Sequence, residues 1–289
     1  MELWLAWLEN AHRAQGTAVW YRNKVTAFIE FVACHPEGIT PRTVDLFLRT
    51  GLVCGNEGRA GYWRAIRAFV NWASDTRRGY LPANLLGDYD PHLPRSKRII
   101  APLKEDVLAI IKKMPRGTMA ERRDRCFIHF LYYTGARAGE ALAVRIDDID
   151  LHRKYARIYQ EKNHEHRIAP LVDALLPELF SWMGHCKGRW LFPSCMRRKV
   201  NPNCHLSLSG IEDRWTIFKK SIGIENQKFN LHLLRHAFGT HAREAGLDLI
   251  DIKDLMGHAT LAATQIYAVA SPEHLRKNAN KIWPEPIPA

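Results

Sequence analysis

The segment Gly87-Asp88-Tyr89-Asp90-Pro91-His92-Leu93-Pro94-Arg95-Ser96-Lys97-Arg98-Ile99-Ile100-Ala101-Pro102 cannot form a continuous helix, because each of its three prolines fixes φ and removes a backbone donor. A chain interrupted there folds as something before and something after. Residues 87–102 read as a basic linker, 1–86 as one unit and 103–289 as a second. With 289 residues, 46% of them hydrophobic, the chain holds apolar material for two ordinary domains.

Periodicity predicts helices on both sides of the break. Before it, an opening helix runs through Asn10, followed by Thr17 to Cys34, Thr40 to Thr50 and Asn56 to Ser74. Trp20, Val25, Phe28, Ile29 and Val32 form one apolar stripe and Trp63, Ile66, Phe69, Val70 and Ala73 another, enough for a single small core. After it, helices are expected at Lys104 to Lys113 and Ala120 to Tyr133, the latter ending at Thr134-Gly135. The short flanks Ala156 to Gln160 and His166 to Pro170 predict a β-hairpin. Further helices are expected around Leu171 to Trp182, Ile211 to Ile222, Leu231 to Ala245, Leu249 to Met256 and Leu261 to Val269. The last residues read as a short helix, Pro272 to Trp283, and a proline-rich end. The fold class is mainly α, with a helical N-terminal domain and a mostly helical second domain holding a small β-sheet.

Charge narrows the partners. Lysine and arginine number 42 against 30 acids, a net charge of +12, which points to nucleic acid. A basic membrane-surface protein would need an amphipathic anchor or an apolar span, and the apolar runs are too short. The start Met1-Glu2-Leu3-Trp4 lacks the basic opening of a secretory signal, so a cytoplasmic, nucleoid-associated protein is expected. The six cysteines have no paired short spacings and read as reduced buried thiols. His185-Cys186, Cys195 and Cys204-His205 collect soft ligands but lack a C-x-x-C knuckle, so no metal is assigned. Arg22, Lys24, Arg59, Arg64, Arg67, Arg77 and Arg78 give the first unit a basic surface. Arg64 and Arg67, with Arg95, Lys97 and Arg98 of the linker, are the candidate DNA contacts.

Phosphoryl transfer without a metal needs cations around the phosphate, an acid for the leaving oxygen and a nucleophile that can hold the phosphoryl group. Arg137 follows the turn Thr134-Gly135-Ala136, where an arginine opening a helix can present its guanidinium to an anion, and Glu140 is placed to orient it. In Asn230-Leu231-His232-Leu233-Leu234-Arg235-His236, His232 and Arg235 project from one helical face while Leu233, Leu234, Ala237 and Phe238 turn inward. Leu255-Met256-Gly257-His258 ends a helix on glycine, and Thr264-Gln265-Ile266-Tyr267 follows. Taken singly, a histidine or tyrosine on an amphipathic helix is more often a core residue than a catalyst.

Taken in order, these pieces resemble the tyrosine recombinase (phage integrase) family. Its signature is Thr-Gly-x-Arg-x-x-Glu, a lysine on a β-hairpin, His-x-x-Arg, Leu-Gly-His with one residue of latitude, and a tyrosine shortly after. The resemblance runs from about residue 103 to about 270. It implies that Arg137 and Arg235 hold the scissile phosphate, that His232 and His258 assist by hydrogen bonding or proton transfer, and that Tyr267 attacks. The family's lysine corresponds to Lys162, counted back from Arg167-Ile168-Ala169-Pro170-Leu171, in preference to Lys154. Glu161 and Asn163 stand where the family usually has glycines, so the turn departs from the family pattern. A 3′-phosphotyrosyl link keeps the phosphoryl group activated for return attack, so no cofactor is implied, and no G-x-x-x-x-G-K occurs.

The resemblance further implies a C-shaped clamp on double-stranded DNA, with the first unit as the core-binding domain. It also implies a homotetramer on two DNA sites, and it admits accessory DNA-binding proteins as partners. Two domains with no further module favour a dimer-resolving or transposon-encoded recombinase over a large phage integrase. Three other readings stay open. A tyrosine-type topoisomerase or a telomere resolvase would use nearly the same residues. A catalytically silent DNA-binding protein would keep the charge but has no need of the full catalytic set. A metal-dependent nuclease would be built on Asp147, Asp148 and Asp150, against which Ile146, Ile149 and Leu151 interleave as core positions.

Overall fold

The computed structural model describes residues 2–10, 15–35, 37–93, 100–160, 165–186, 188–196, 199–224, 229–258 and 260–265. The chain divides into two compact units, Met1–Ile99 and Ile100–Ala289.

In the first unit, helices α1 (Glu2–Asn10), α2 (Gln15–Ala33), α3 (Pro41–Thr50) and α4 (Asn56–Ala73) enclose Trp4, Val25, Phe28, Val44, Leu48 and Ile66, all fully buried. Helix α3 begins sharply because Thr40 accepts from the Thr43 N–H and Pro41, which has no N–H to lose, fills the first turn. The linker segment is anchored at its start, since Tyr89 and Leu93 pack on this core and the Tyr89 hydroxyl donates to Asp45 at 3.0 Å. Trp20 departs from the expected stripe and stays 37% exposed. Its ring lies beneath Lys24 and Arg64, and a cation held over an indole is favourable at the surface.

The second unit is built on α6 (Met119–Thr134), whose Cys126, Phe127, Ile128, Phe130 and Leu131 are buried. Around it stand α5 (Lys104–Lys112), α7 (Ala138–Leu142), α8 (Leu176–Met183), α9 (Leu208–Ser221), α10 (Leu231–Glu244) and α11 (Leu249–Met256). Strands β1 (Ile149–Asp150), β2 (Tyr155–Gln160) and β3 (Glu165–Pro170) form an antiparallel sheet in the order β1-β2-β3, with Ile158 opposite Arg167 and Gln160 opposite Glu165. A separate hairpin, β4 (Pro193–Met196) with β5 (Lys199–His205), carries no regular apolar alternation and was not foreseen. Helix α8 starts five residues later than its apolar run, with Pro177 in its first turn, because a proline further inside would clash with the preceding turn. The expected helix from Leu261 is a 3₁₀ turn over Leu261–Ala263, and its residues from 266 onward, with the tail, lie outside the described residues. All six cysteines are free, but only Cys126 is buried; Cys34 and Cys204 are exposed. Among the described residues no helix is long and apolar enough to cross a membrane.

Polar groups tie this core together. Tyr132 and Pro102 O both bond His241, at 2.9 Å to Nδ1 and 2.9 Å to Nε2. Because a carbonyl only accepts, Nε2 carries the proton and the tyrosine hydroxyl donates to Nδ1. His129 on α6 is different: neither ring nitrogen has a hydrogen-bond partner among the described residues, and Glu178 is 3.9 Å away. Burial lowers its pKa to about 4, against the pull of Glu178 and with the push of Arg125 and Arg116. The folded state therefore refuses a proton that the unfolded chain accepts below about 6.5. Stability from this group is present at neutral pH and is lost as pH falls from about 6.5 to about 4. We expect the urea midpoint of the parent to fall between pH 7 and pH 5, and His129→Leu to flatten that dependence by on the order of 1 kcal/mol. An unchanged slope in the variant would contradict the assignment.

Candidate active site

The site begins at two helix ends. Helix α6 closes on Gly135 at φ +62°, whose N–H donates to Leu131 O at 3.0 Å. A Cβ at this position would lie 2.5 Å from the Phe238 ring, so glycine is required on both counts. The Thr134 hydroxyl donates to Phe130 O at 2.6 Å and accepts from the Ala136 N–H, which folds the chain directly into α7. Arg137 sits at the N-cap of α7. Its backbone N–H donates to one oxygen of Glu140 at 3.1 Å and its Nη1 to the other at 2.5 Å. One buried carboxylate thus orients both the helix start and the guanidinium, whose side chain stays 41% exposed.

The second end is that of α11. Gly257, at φ +64°, donates its N–H to Asp254 O at 3.1 Å, and His258 donates its N–H to Lys253 O at 2.9 Å. This pair of bonds is a Schellman motif that places His258 directly after the helix. The carbonyls this end exposes are taken by side chains from elsewhere. Arg235 of α10 donates to Met256 O at 2.8 Å and to Gly135 O at 2.6 Å. Arg167 of β3 donates to Leu255 O at 2.6 Å and to Thr134 O at 3.3 Å. Gln160 of β2 donates to Gly257 O at 2.8 Å. The His258 ring is held in turn through Nδ1, which is 2.8 Å from the hydroxyl of buried Thr264.

These placements set the protonation states. Arg167 has its pKa lowered to about 10, by burial first, with Glu140 raising it and Arg137 lowering it, so it remains a cation near neutrality. Burial, then Arg235, Arg137, Arg167 and His236, lower the pKa of His258 to about 4. Desolvation and then Arg235 and Arg137 lower that of His232. His236, edge-on to His232 with ring centroids 4.9 Å apart, is lowered by desolvation, His232 and Arg235. The imidazoles are therefore neutral at pH 7, beside guanidiniums that are not.

Arg137, Glu140, His232, Arg235 and His258 come together from three separate stretches of sequence. Lys162, Tyr267, Arg95, Lys97 and Arg98 lie outside the described residues, while Arg64 and Arg67 are exposed on α4. Lys154 stands in the turn before β2 at φ +56°, its Nζ 2.8 Å from Asp173. Asp148 and Asp150 accept from the Arg145 and Arg153 N–H groups and so serve as local caps. Arg167, Gln160, His236 and Thr264 were not singled out beforehand. The first two occupy inward positions of the hairpin, a buried polar placement that shows only once the register is known.

Guanidiniums beside neutral imidazoles thus gather at one place on a mainly helical scaffold. The family model for the phage integrase family matches residues 103–274. Tyrosine recombinase XerD of Staphylococcus aureus is 27% identical over 234 residues, which cover 78% of this chain and 76% of that protein. Among solved structures, the Tn1549 transposon integrase in complex with transposon right end DNA aligns with TM-score 0.77 at 12% identity, over 98% of each chain. XerH site-specific recombinase, in a post-cleavage complex with its palindromic difH substrate, aligns with TM-score 0.74 at 21% identity, over 93% of this chain and 80% of that one. The chain belongs to the phage integrase family, the tyrosine recombinases.

The geometry of the α11 terminus makes a sharp contrast between two glycines. At Gly257 a Cβ would overlap the Gln160 amide and approach Arg167 Cδ to 2.6 Å, whereas at Gly139, inside α7, nothing lies within 4 Å. Gly257→Ala should cost about 1–3 kcal/mol in urea unfolding. Gly139→Ala should be neutral or stabilising by up to about 1 kcal/mol. Equal effects would contradict the described packing.

Proposed function

We propose that this tyrosine recombinase, whose activity is site-specific DNA recombination, breaks and rejoins strands of duplex DNA through Tyr267. In this reading Arg137 and Arg235 bind the scissile phosphate, and Glu140 holds Arg137 in place. The Tyr267 hydroxyl attacks phosphorus and the 5′-oxygen leaves, which forms a 3′-phosphotyrosyl bond. Lys162 gives the departing oxygen its proton, a contribution of about 10²- to 10⁴-fold for a general acid. His232 and His258, neutral at working pH, hydrogen bond to the phosphate or accept the tyrosine proton. Return attack by a 5′-hydroxyl reverses each step, so the bond energy is conserved and no nucleotide is consumed.

The observation that carries this reading is Arg235. By bonding Gly135 O and Met256 O it joins the Arg137 turn to the His258 turn, far apart in sequence. Support for the remaining two residues is through the chain: Gln160, two residues before Lys162, contacts Gly257, and Thr264, three before Tyr267, contacts His258. Lys154 lies at the other end of β2, a strand of six residues or about 20 Å, and is paired with Asp173. Arg64 and Arg67, with Arg95, Lys97 and Arg98, contact the DNA backbone in this reading. Four protomers acting on two sites of nucleoid DNA in the cytoplasm complete it, with accessory DNA-binding proteins among its partners.

DNA recovered covalently attached to the protein, once sequenced, supplies the site for the test. On a nicked duplex of that site, in EDTA and without ATP, the parent should accumulate protein joined to a 3′-phosphate, and Tyr267→Phe should bind with near-parent affinity yet form none. Lys162→Ala should cleave slowly but recover on a duplex whose leaving 5′-oxygen is replaced by sulfur, which needs no acid. Attachment to a 5′-phosphate would overturn the assignment of Tyr267, and equal defects on both substrates would overturn that of Lys162.

A further inference from the structure

The inward face of the β2–β3 hairpin alternates Ala156, Ile158 and Gln160 on one strand with Arg167 and Ala169 on the other. Two of these five buried positions are polar, and apolar residues there would fill the core without paying for desolvation of an amide and a guanidinium. What Gln160 and Arg167 add is specific. Both donate to carbonyls at the end of α11, Gln160 to Gly257 O and Arg167 to Leu255 O, on either side of the Met256 carbonyl held by Arg235. His258 follows immediately. The same hairpin carries Lys162 in the connection between Gln160 and Glu165.

We propose that Gln160 and Arg167 are positioning residues that clasp the His258 turn to the β2–β3 hairpin, so that the His258 imidazole is held in place. The inference rests on the role given to His258 above. Arg167 extends the clasp to a third element through Thr134 O, beside the Arg137 turn. The charged and titratable groups around His258 are Arg235 and His236 on α10, Arg137 at α7, Lys253 and Asp254 on α11, and Glu165, His166 and Arg167 on the hairpin. Of these only Arg167 ties the histidine turn to the sheet through its side chain, in company with Gln160.

The test uses the full chain carrying Arg167→Met or, as the milder change, Gln160→Met. Histidine NMR of the DNA-free protein should show the His258 resonance displaced in both variants, and its titration midpoint raised toward 6.5 in Arg167→Met, since a neighbouring cation is lost. In single-turnover cleavage of the nicked site, Arg167→Met should be slower by about tenfold or more with DNA affinity within about threefold, because misplacement of a reacting group by about 1 Å costs that much or more. Added to His258→Ala, it should cost no more than about a further twofold, since it acts through the missing group. An unmoved His258 resonance in both variants, or full multiplication of the two losses, overturns the proposal. Cleavage by His258→Ala at the parent rate would instead remove the catalytic role of His258, and the resonance would still decide whether the clasp exists.

Discussion

Two helices end facing one another, and two buried guanidiniums hold them there. A helix C-terminus exposes unpaired carbonyls and the negative end of its dipole, so it is a natural seat for arginine. Arg235 spans Gly135 O of the α6 end and Met256 O of the α11 end, and Arg167 spans Thr134 O and Leu255 O of the same pair. Each of these guanidiniums therefore donates to carbonyls of both helix ends. Their positive charge is stabilised there by the backbone dipoles of two helix C-termini.

That choice of partner governs the chemistry next to it. Glu140 is bonded to Arg137 through both oxygens. The histidines therefore sit among cations and partial burial, and their pKa values move down. In the proposed reaction, imidazoles kept neutral in this way would exchange hydrogen bonds with the phosphate without adding fixed charge, and the guanidiniums would supply the charge that the transition state requires. A change of charge at any one of Arg137, Arg167 or Arg235 would be felt by His258, since all three act on it.

Much of this was legible in the residues. Apolar periodicity marks α3, α6, α10 and α11, and glycines close α6 and α11; the N-caps Thr40, Thr118, Asn230 and Asp248, which accept N–H bonds at these helix starts, agree with it. The hairpin of β2 and β3 was found to within a residue at each end. Arg137, Glu140, His232, Arg235 and His258 were read from motif order. What escaped was whatever depends on a distant partner. Gln160 and Arg167 look like ordinary polar residues of a charged hairpin until the sheet is docked on α11. Trp20 matches the helical stripe but lies where α4 offers Arg64 in place of an apolar neighbour. The β4–β5 hairpin has no alternation to read, and Asn201-Pro202-Asn203 falls within its second strand.

Arg235 joins the two helix ends into one unit. Hydrogen–deuterium exchange on Arg235→Lys measures this directly, because lysine keeps the charge but cannot fork between two carbonyls. The N–H groups of Gly135, Gly257 and His258 close the two ends through Leu131 O, Asp254 O and Lys253 O. All three should lose protection together, by about tenfold or more, while the amides of α4 in the other unit are unchanged. Loss confined to one helix end, or to α10 alone, would contradict it.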